Sequence, residues 1–543
     1  MHSAVFVYVC SFLAAAVRAE FDGNLNYASP SRRHTRLGIN VPLVKRRSVK
    51  RGDIAYESSQ LSFTHGVASG DPWAESVILW TRIAPTAESD ESSIVVNSTA
   101  GLYSHETKTY IKADPHPICV EWSVYDSDPI SWDSKTISYG RAYTTSDIDY
   151  TVKIEADGLQ PLTTYYYQFT VCGSSVKSPL GRTKTAPRED DDVSFLKFAI
   201  FSCSNYPNGY FNAYGNAARK DDHDFVIHLG DYIYEYGARD ESSERASLPF
   251  HEIFTLHDCR TRHGQYRTDP DLQLLSQKYP WIPTWDDHEF ANNGYRDGFS
   301  GLNNTEESFL NDGPRVSVDT RKVNAVRAYF EWMPIRQIDM DDGLRIWRSF
   351  QMGKLVDLIM LDTRNYDRSV TKGRGNEDFI DMLRDDSSRT LMGSRQENWF
   401  YRSLSESQER GATWRIVGNQ IIFSRILQDR GEGETYNGAL KGDKLTLAGI
   451  GPHLGWKYRC RVCRNRCSPS VSTRNSWDIP LANFTVVAGE NCLQRPVAGG
   501  RVESGALRHG EVAHTNLTLN TETNEWEYIG FDTMHLPQDD SSS

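Results

Sequence analysis

The chain has 543 residues, more than one hydrophobic core normally organises, so we expect two domains, with three as the alternative. Hydrophobic residues make up 38% and charged residues 24% of the sequence, which excludes a collagen-like or low-complexity polymer. The net charge of -12 leaves no overall basic patch for nucleic-acid recognition, so metals or a few arginines must hold any anionic substrate locally.

The N-terminal residues are typical of an export signal. An apolar run from Ala4 to Val17 ends in small residues at 16–19, which predicts a signal peptide over residues 1–19 and a secreted, cell-wall or extracellular location. A buried strand is the alternative interpretation. The run is too short to span a bilayer, and no later segment reaches membrane-spanning length.

Two further features fit export. Removal of Cys10 with the signal leaves eight of the nine cysteines, enough for several disulfides, whose connectivity the sequence does not indicate. The sequence also has four sequons for N-glycosylation, at Asn97, Asn303, Asn483 and Asn516.

Residues 20–60 are predicted to be a linker or pro-segment. They have little apolar periodicity, and their basic residues occur in short groups, at Arg32-Arg33, Lys45-Arg46-Arg47 and Lys50-Arg51. Such a stretch fits a segment trimmed by processing proteases and fits equally a solvated arm.

From residue 61 to residue 187, short β-type runs are separated by turn residues. Four of them have the alternation and the aromatic or β-branched content of strands: Ser76–Arg82, Cys119–Tyr125, Thr151–Glu155 and Tyr165–Val171. This pattern predicts an all-β, immunoglobulin- or fibronectin-like sandwich as an N-terminal domain over 61–187.

After an acidic hinge at 188–192 the pattern becomes α/β. Continuous apolar runs are typical of strands buried on both faces, and four such runs precede polar or ionisable residues: Phe195–Phe201, Asp224–Leu229, Trp281–Trp285 and Leu355–Leu361. Ligand sites in α/β sheets lie at the carboxyl ends of strands. We therefore predict a second domain over residues 193–480 with a site at these ends, followed by a C-terminal tail over 481–543.

Metal-ligating residue types follow these strands, at Cys203, Asp231, Tyr234, Asp286, Asp287 and His288. If they converge, their acidic groups would repel one another unless multivalent cations were bound. Paired metal ions commonly act as clamps for phosphoryl displacement. Each residue alone has an ordinary interpretation as a core or turn residue. Their joint position at strand ends favours a metal site.

Seven motifs occur in order along the chain, with Cys203 between the second and third: Phe63–Pro72, Val77–Arg82, His228–Glu235, Tyr266–Pro270, Trp285–Glu289, Leu361–Arg364 and Gly418–Phe423. The series resembles the PhoD-like alkaline phosphatase family, in a fungal-looking version, over roughly residues 25–427. The resemblance implies a β-sandwich followed by a calcineurin-like metallophosphatase domain, a four-layer αββα sandwich. It also implies hydrolysis of phosphomonoesters and phosphodiesters outside the cytoplasm.

The resemblance also implies the ligands of the metals. Cys203, Asp231 and Tyr234 would bind Fe3+, with Asp231 bridging to Ca2+. Thiolate and phenolate suit a redox-capable transition metal, and carboxylates suit Ca2+. Asp287 matches a metal-binding position, and Asp286 is a second carboxylate candidate.

Two further residues have alternative roles. His288 would lie near the leaving group of the substrate, or it would orient Asp287 instead. Arg364 would bind phosphate through its planar fork, or it would form a structural salt bridge. We predict a secreted, metal-dependent phosphoric ester hydrolase in which a metal-activated hydroxide attacks phosphorus in line. The sequence indicates neither monoester or diester preference nor the oligomeric state.

The chain departs from the family after residue 427. The family continues with a Gly-Asp-Ser-His motif whose Asp and His complete the metal site, whereas here Leu445–Gly449 is followed by Ile450–His453. The cysteines at 460, 463 and 467 have the spacing of a metal knuckle, but the sequence around them offers no fourth ligand except the distant His453.

A frameshift would explain this departure. Residues 456–467 can be encoded by codons that, moved forward by one base, encode Gly-Ser-Ile-Gly-Val-Glu-Phe-Ala-Gly-Thr-Ala, which resembles the string that the family carries here. We therefore predict a gene-model error, either a frameshift or a misplaced splice junction. The alternative function is a non-catalytic or misfolded remnant that lacks the Asp-x-His ligands.

Overall fold

The computed structural model describes residues 23–28, 56–85, 117–145, 148–237, 245–299, 302–303, 317–338, 345–368, 390–421, 426–427, 445–446, 484–488, 513–520 and 525–531. The predictions for the signal peptide and for the basic groups at 32–51 lie outside these residues, as does the predicted departure at 427–480 except for residues 427 and 445–446.

Strands β1 to β9 lie in the N-terminal region, at Leu61–Ser62, Val67–Gly70, Val77–Arg82, Ala84–Pro85, Ile118–Tyr125, Thr136–Thr144, Thr151–Ala156, Thr164–Val171 and Gly181–Lys184. Strands β10 to β22 follow, at Phe195–Ser202, Phe225–His228, Pro280–Pro283, Gly298–Phe299, Leu302–Asn303, Arg348–Met352, Val356–Met360, Trp414–Asn419, Ile426–Leu427, Leu445–Thr446, Phe484–Ala488, Ala513–Asn520 and Glu525–Phe531. Helices α1 to α6 lie at Leu25–Ala28, Asn212–Lys220, Leu256–Tyr266, Pro270–Lys278, Val318–Trp332 and Gly393–Glu409.

Local sequence explains where three of the helices begin. Thr255 caps α3 in a capping box with Asp258, and Asp269 caps α4 ahead of a proline at the first helical position. Ser317 caps α5 by accepting a hydrogen bond from the Thr320 backbone. Each cap satisfies backbone donors that the first helical turn leaves unpaired.

The N-terminal region packs two β-layers against each other. One is the antiparallel sheet β6-β5-β8-β9, in which a disulfide joins Cys119 to Cys172, and the other consists of β2, β3 and β7. Alternate residues of β8 are buried, as expected for a strand with one covered face. The core between the layers includes Leu79, Val120 and Phe169.

The second of these layers does not end within the N-terminal region. Strand β2 pairs in parallel with β12, with Trp281 opposite Gly70, so β2, β3 and β7 complete an eight-stranded sheet of order β22-β21-β10-β11-β12-β2-β3-β7. A Cβ on Gly70 would lie 2.7 Å from the Trp281 carbonyl oxygen, so only glycine fits. The structure thus differs from the separate sandwich that we predicted, because alternation along a strand shows which faces are covered and not which strand is its neighbour.

The α/β region has four layers. The eight-stranded sheet faces the four-stranded sheet β15-β16-β17-β20, and the core between them includes Phe198, Ile227 and Leu358. Helices α2 to α5 cover the outer face of the larger sheet, and α6 covers the outer face of the smaller one. Phe198 faces the inter-sheet core whereas Ala199 faces the helices, which explains why these strands read as continuous apolar runs. The predicted αββα arrangement is present.

Part of the predicted linker is docked on this body. The Asn24 side chain donates to the carbonyl oxygens of Tyr143 and Thr151, both at 2.9 Å, and that of Asn26 donates to the carbonyl of Glu331 at 3.2 Å. These asparagines are buried. The linker prediction is therefore wrong for residues 24–27. These residues are held by side-chain hydrogen bonds of asparagines, and such contacts leave no apolar periodicity in the sequence.

The predicted C-terminal tail contributes strands to both sheets. Strand β20 pairs in parallel with β17, β21 pairs antiparallel with β10, and β22 pairs with β21. Two of the sequons, at Asn303 and Asn516, lie in strands, and glycosylation stays a prediction. Among the helices in the described ranges, none has the length and apolar character needed to cross a membrane.

Candidate metal centre

The candidate site lies where β10, β11 and β12 end. Cys203 and Asp231 both have left-handed backbone conformations, with φ of 61° and 54°. The Cys203 N–H donates to the Gly230 carbonyl at 3.1 Å, which ties the two loops together. A Cβ on Gly230 would lie 2.5 Å from that of Asp286, so glycine lets the third loop approach. Such uncommon backbone geometry is typical of functional sites.

Five of the predicted residues converge here: Cys203, Asp231, Tyr234, Asp287 and His288. The Cys203 sulfur lies 3.6 Å from Oδ2 of Asp231, and the Tyr234 hydroxyl donates to the same oxygen at 3.1 Å. Carboxylate oxygens of Asp231 and Asp287 and a ring nitrogen of His288 lie within 4.8 Å of one another. We call these five residues the metal cluster.

The electrostatics of the cluster fit bound cations. Burial raises the pKa of Asp231 well above its usual value; His288 opposes this shift, and the neighbouring Cys203 and Asp287 add to it. Burial also raises the pKa of Tyr234. The positive charge that the chain supplies is thus too little to ionise Asp231 and Tyr234 together. A cation would favour their charged forms, and the set of thiol, phenol and carboxylate donors suits a transition metal beside a hard cation.

Asp286 and Arg364 form an adjoining pair. The guanidinium of Arg364 donates to Asp286 and lies 3.4 Å from an oxygen of Asp287, and all three side chains are buried. Burial opposes ionisation of Asp287, but Arg364 and His288 outweigh it and lower its pKa to about 2. The Asp286 side chain therefore pairs with Arg364. It is not among the three side chains whose possible ligand atoms lie within 4.8 Å of one another. For Arg364, the salt bridge is the interaction present.

Two buried glutamates hold the site and were not predicted to do so. Glu289 accepts hydrogen bonds from the backbone N–H groups of Tyr232 and Asp286, at 2.6 and 2.8 Å, and burial raises its pKa to about 7. Glu235 accepts from the Nδ1 of His288 at 2.7 Å. Glu235 and Glu289 are the last residues of two motifs seen in the sequence, His228–Glu235 and Trp285–Glu289. A motif does not indicate which backbone or side-chain group will donate a hydrogen bond to its carboxylate.

The layered fold and a cluster of side chains that could hold a metal ion are the features expected of a metallophosphatase. Residues 198–472 match the family model of the PhoD-like phosphatases, and residues 48–187 match the model of that family's N-terminal domain. The chain therefore belongs to the PhoD-like phosphatase family, which confirms the resemblance seen in the motifs.

Individual relatives agree with this assignment. Alkaline phosphatase D of Bacillus subtilis (strain 168) is 35% identical over 395 residues, which cover 72% of this chain and 61% of the relative. A solved structure of PhoD has 34% identity and a TM-score of 0.55, covering 68% of this chain and 64% of that chain. This chain thus spans less than two thirds of the length of both. A purple acid phosphatase from yellow lupin seeds has 14% identity and a TM-score of 0.38, covering 83% of this chain and 69% of that chain.

Proposed function

We propose that this chain is a metal-dependent hydrolase of phosphate esters, an alkaline phosphatase or phosphodiesterase. The observation that carries the proposal is the metal cluster, in which acidic groups from three loops lie within a few ångströms of one another and the buried carboxylate of Asp231 contacts a thiol and a phenol. Membership of the PhoD-like phosphatase family supports the same reaction class.

The donor types suggest which ions bind. Cys203, Asp231 and Tyr234 would hold Fe3+, and the carboxylates of Asp231 and Asp287 would hold Ca2+. Bound ions would neutralise charge on the phosphoryl oxygens and acidify the attacking water.

The chain's own residues then serve the displacement. Water oxygen forms a bond to phosphorus, the ester P–O bond breaks, and its electron pair goes to the leaving oxygen. His288 would donate a proton to this oxygen, and the attacking water would release one proton, so the number of protons is unchanged overall. Arg364 holds Asp286 and Asp287 in place through its buried ion pair. Direct phosphate binding by Arg364 stays a prediction.

Secretion is part of the proposal. The disulfide between Cys119 and Cys172 supports it, because disulfides persist mainly in oxidising compartments. The alternative of a misfolded remnant is less well supported, since β20 and β21 pair with β17 and β10 and so extend both sheets.

Metal analysis combined with an activity assay tests the proposal. The purified chain should contain iron and calcium in defined ratios and should hydrolyse p-nitrophenyl phosphate or bis(p-nitrophenyl) phosphate at alkaline pH with added Ca2+. A chain that binds both ions but hydrolyses neither ester would overturn the function. A metal-free, inactive chain that becomes active once the family's Asp-x-His segment is restored would instead support the remnant hypothesis, and sequencing the transcript across codons 440–480 would locate the error.

A further inference from the structure

Glu235 lies beside the metal cluster and is not one of its predicted ligands. Its side chain is 1% exposed, and each of its carboxylate oxygens has a separate partner. Oε2 accepts a hydrogen bond from Nδ1 of His288 at 2.7 Å, and Oε1 accepts one from the backbone N–H of Asn292 at 2.6 Å. Glu235 therefore joins the loop after β11 to the loop after β12.

The hydrogen bond to Glu235 determines which histidine nitrogen remains for chemistry. Because Nδ1 is engaged by the carboxylate, Nε2 is the ring nitrogen left to face a substrate. The ring is restrained from its sides as well, since its centroid lies 4.2 Å from that of Tyr234 and 5.5 Å from that of Tyr236. A carboxylate that accepts from one imidazole nitrogen is a common means of orienting the other.

The second hydrogen bond of Glu235 has a different consequence. Asn292 follows the turn in which the N–H groups of Phe290 and Ala291 donate to the Asp287 carbonyl, both at 2.8 Å. By binding the Asn292 N–H, Glu235 holds the far end of this turn against the loop that carries Asp231 and Tyr234. The same carboxylate thus fixes both the histidine ring and the loop on which the histidine lies.

We propose that Glu235 is a positioning residue that aims Nε2 of His288 at the leaving oxygen of the phosphate ester. This inference rests on the proposed function. Glu235 itself does not touch the reacting atoms, and its effect on turnover passes through His288. Loss of such a partner typically reduces activity about 10- to 100-fold.

The test compares leaving groups. A proton donor matters most when the leaving oxygen is strongly basic, so its loss should slow an alkyl ester more than an aryl ester. In Glu235→Gln, the amide oxygen can still accept from the Asn292 N–H, but the amide N–H₂ then faces Nδ1 of His288. The ring must either turn or lose the proton on Nδ1 and accept from the amide, and in both cases the doubly protonated imidazole is no longer held in place as a proton donor. We expect kcat for glycerol 2-phosphate to fall about 10- to 100-fold, kcat for p-nitrophenyl phosphate to fall much less, and KM and metal content to stay unchanged.

A double mutant separates positioning from general destabilisation. If Glu235 acts through His288, then Glu235→Gln should cause no further loss of kcat in the His288→Ala background. Glu252→Gln is the matched control, because Glu252 pairs with Arg321 at 2.9 Å and lies outside the cluster. It should leave the ratio of the two kcat values unchanged. Equal losses for both esters, or an additive loss in the double mutant, would overturn the proposal.

Ring orientation provides a readout that does not depend on turnover. In Glu235→Gln, the imidazole of His288 should either rotate, which crystals show, or keep its orientation and lose the proton on Nδ1, which 15N NMR of the metal-free protein shows, with the loop at 286–293 unchanged. If wild-type protein hydrolyses neither ester, the proposed function fails, and the state of the ring still decides the positioning role. A ring that keeps both its orientation and the proton on Nδ1 in the variant would overturn the inference in an active or an inactive chain.

Discussion

Two regions of the molecule bury ionisable side chains, and they balance charge in opposite ways. One is the metal cluster. The other, which we call the polar seam, lies between α5 and the strands β3 and β7 and comprises Arg82, Asp149, Arg260, Arg327 and Glu331. In the seam, Arg260 and Arg327 donate to Glu331 at 2.6 and 2.9 Å, and Arg82 donates to Asp149 at 2.8 Å. In the cluster, Asp231 contacts a thiol and a phenol instead.

The difference appears in the pKa values. Burial opposes ionisation of Glu331, yet Arg260 and Arg327 outweigh it and lower its pKa. Burial raises the pKa of Asp231, and the nearby Cys203 and Asp287 add to that effect, although His288 opposes it. Asp149 is intermediate, since burial raises its pKa to about 6 although Arg82 opposes the shift. Buried charge that the chain neutralises holds structure together, whereas buried acid that it does not neutralise indicates a site for an external cation.

The largest expected effect comes from the cluster. Asp231→Asn should reduce bound iron and calcium to background and remove phosphate-ester hydrolysis, because Asp231 is the carboxylate around which the cluster gathers. The metal-free variant should unfold at no lower urea concentration than the metal-free wild type, since a buried acid has been removed. Asp192→Asn, at an exposed carboxylate, is the control and should keep both metals. Full activity in Asp231→Asn would refute the cluster as the active site.

The seam should show the reverse pattern. Glu331→Gln leaves two buried guanidinium groups without their carboxylate and should lower the free energy of unfolding by about 3–5 kcal/mol. The folded variant should keep its metal content and its kcat, because Glu331 lies outside the cluster. Urea unfolding and metal analysis on the same preparation check this. A loss of metal at full stability would break the distinction between the two regions.

The pH dependence of the free energy of unfolding at Lys153 gives a further test of the comparison. Its amine is buried and donates to the Phe330 carbonyl, and burial lowers its pKa to about 7 although Asp71 and Glu331 oppose the shift. Between about pH 7 and pH 10, the unfolded chain therefore binds more protons at this site than the folded chain, so its contribution to stability rises with pH. The slope should be at most about 1.4 kcal/mol per pH unit. Urea unfolding of Lys153→Met should lack this rise, and an unchanged slope would contradict the assignment.

The smallest effect is expected at an exposed ion pair. Glu121 and Arg141 lie 2.6 Å apart on β5 and β6, but their side chains are 44% and 56% exposed. Solvent screens such a pair. Glu121→Gln should therefore produce no measurable change in stability or activity, and it serves as the surface counterpart of Glu331→Gln. A loss as large as that of Glu331→Gln would show that burial does not distinguish the two pairs.

The structure brings five of the predicted site residues together, whereas their role as metal ligands stays a prediction and their supporting contacts were not predicted. Cys203, Asp231, Tyr234, Asp287 and His288 all follow apolar strands, and parallel strands bring their carboxyl ends to one edge. The neighbouring Asp286 has the same chemistry, yet its side chain meets Arg364 instead of the cluster. Only the direction of each side chain separates these two aspartates.

The sequence was sufficient to predict the family, eight of the strands and the acidic chemistry of the site, because periodicity and side-chain type are local properties. Tertiary structure alone decided that β2 joins the α/β sheet, that β20 to β22 extend both sheets, and that Glu235 meets His288. Each of these depends on groups far apart in the chain. Buried polar groups need hydrogen-bond partners, but a local sequence pattern does not indicate which distant strand or side chain will supply them.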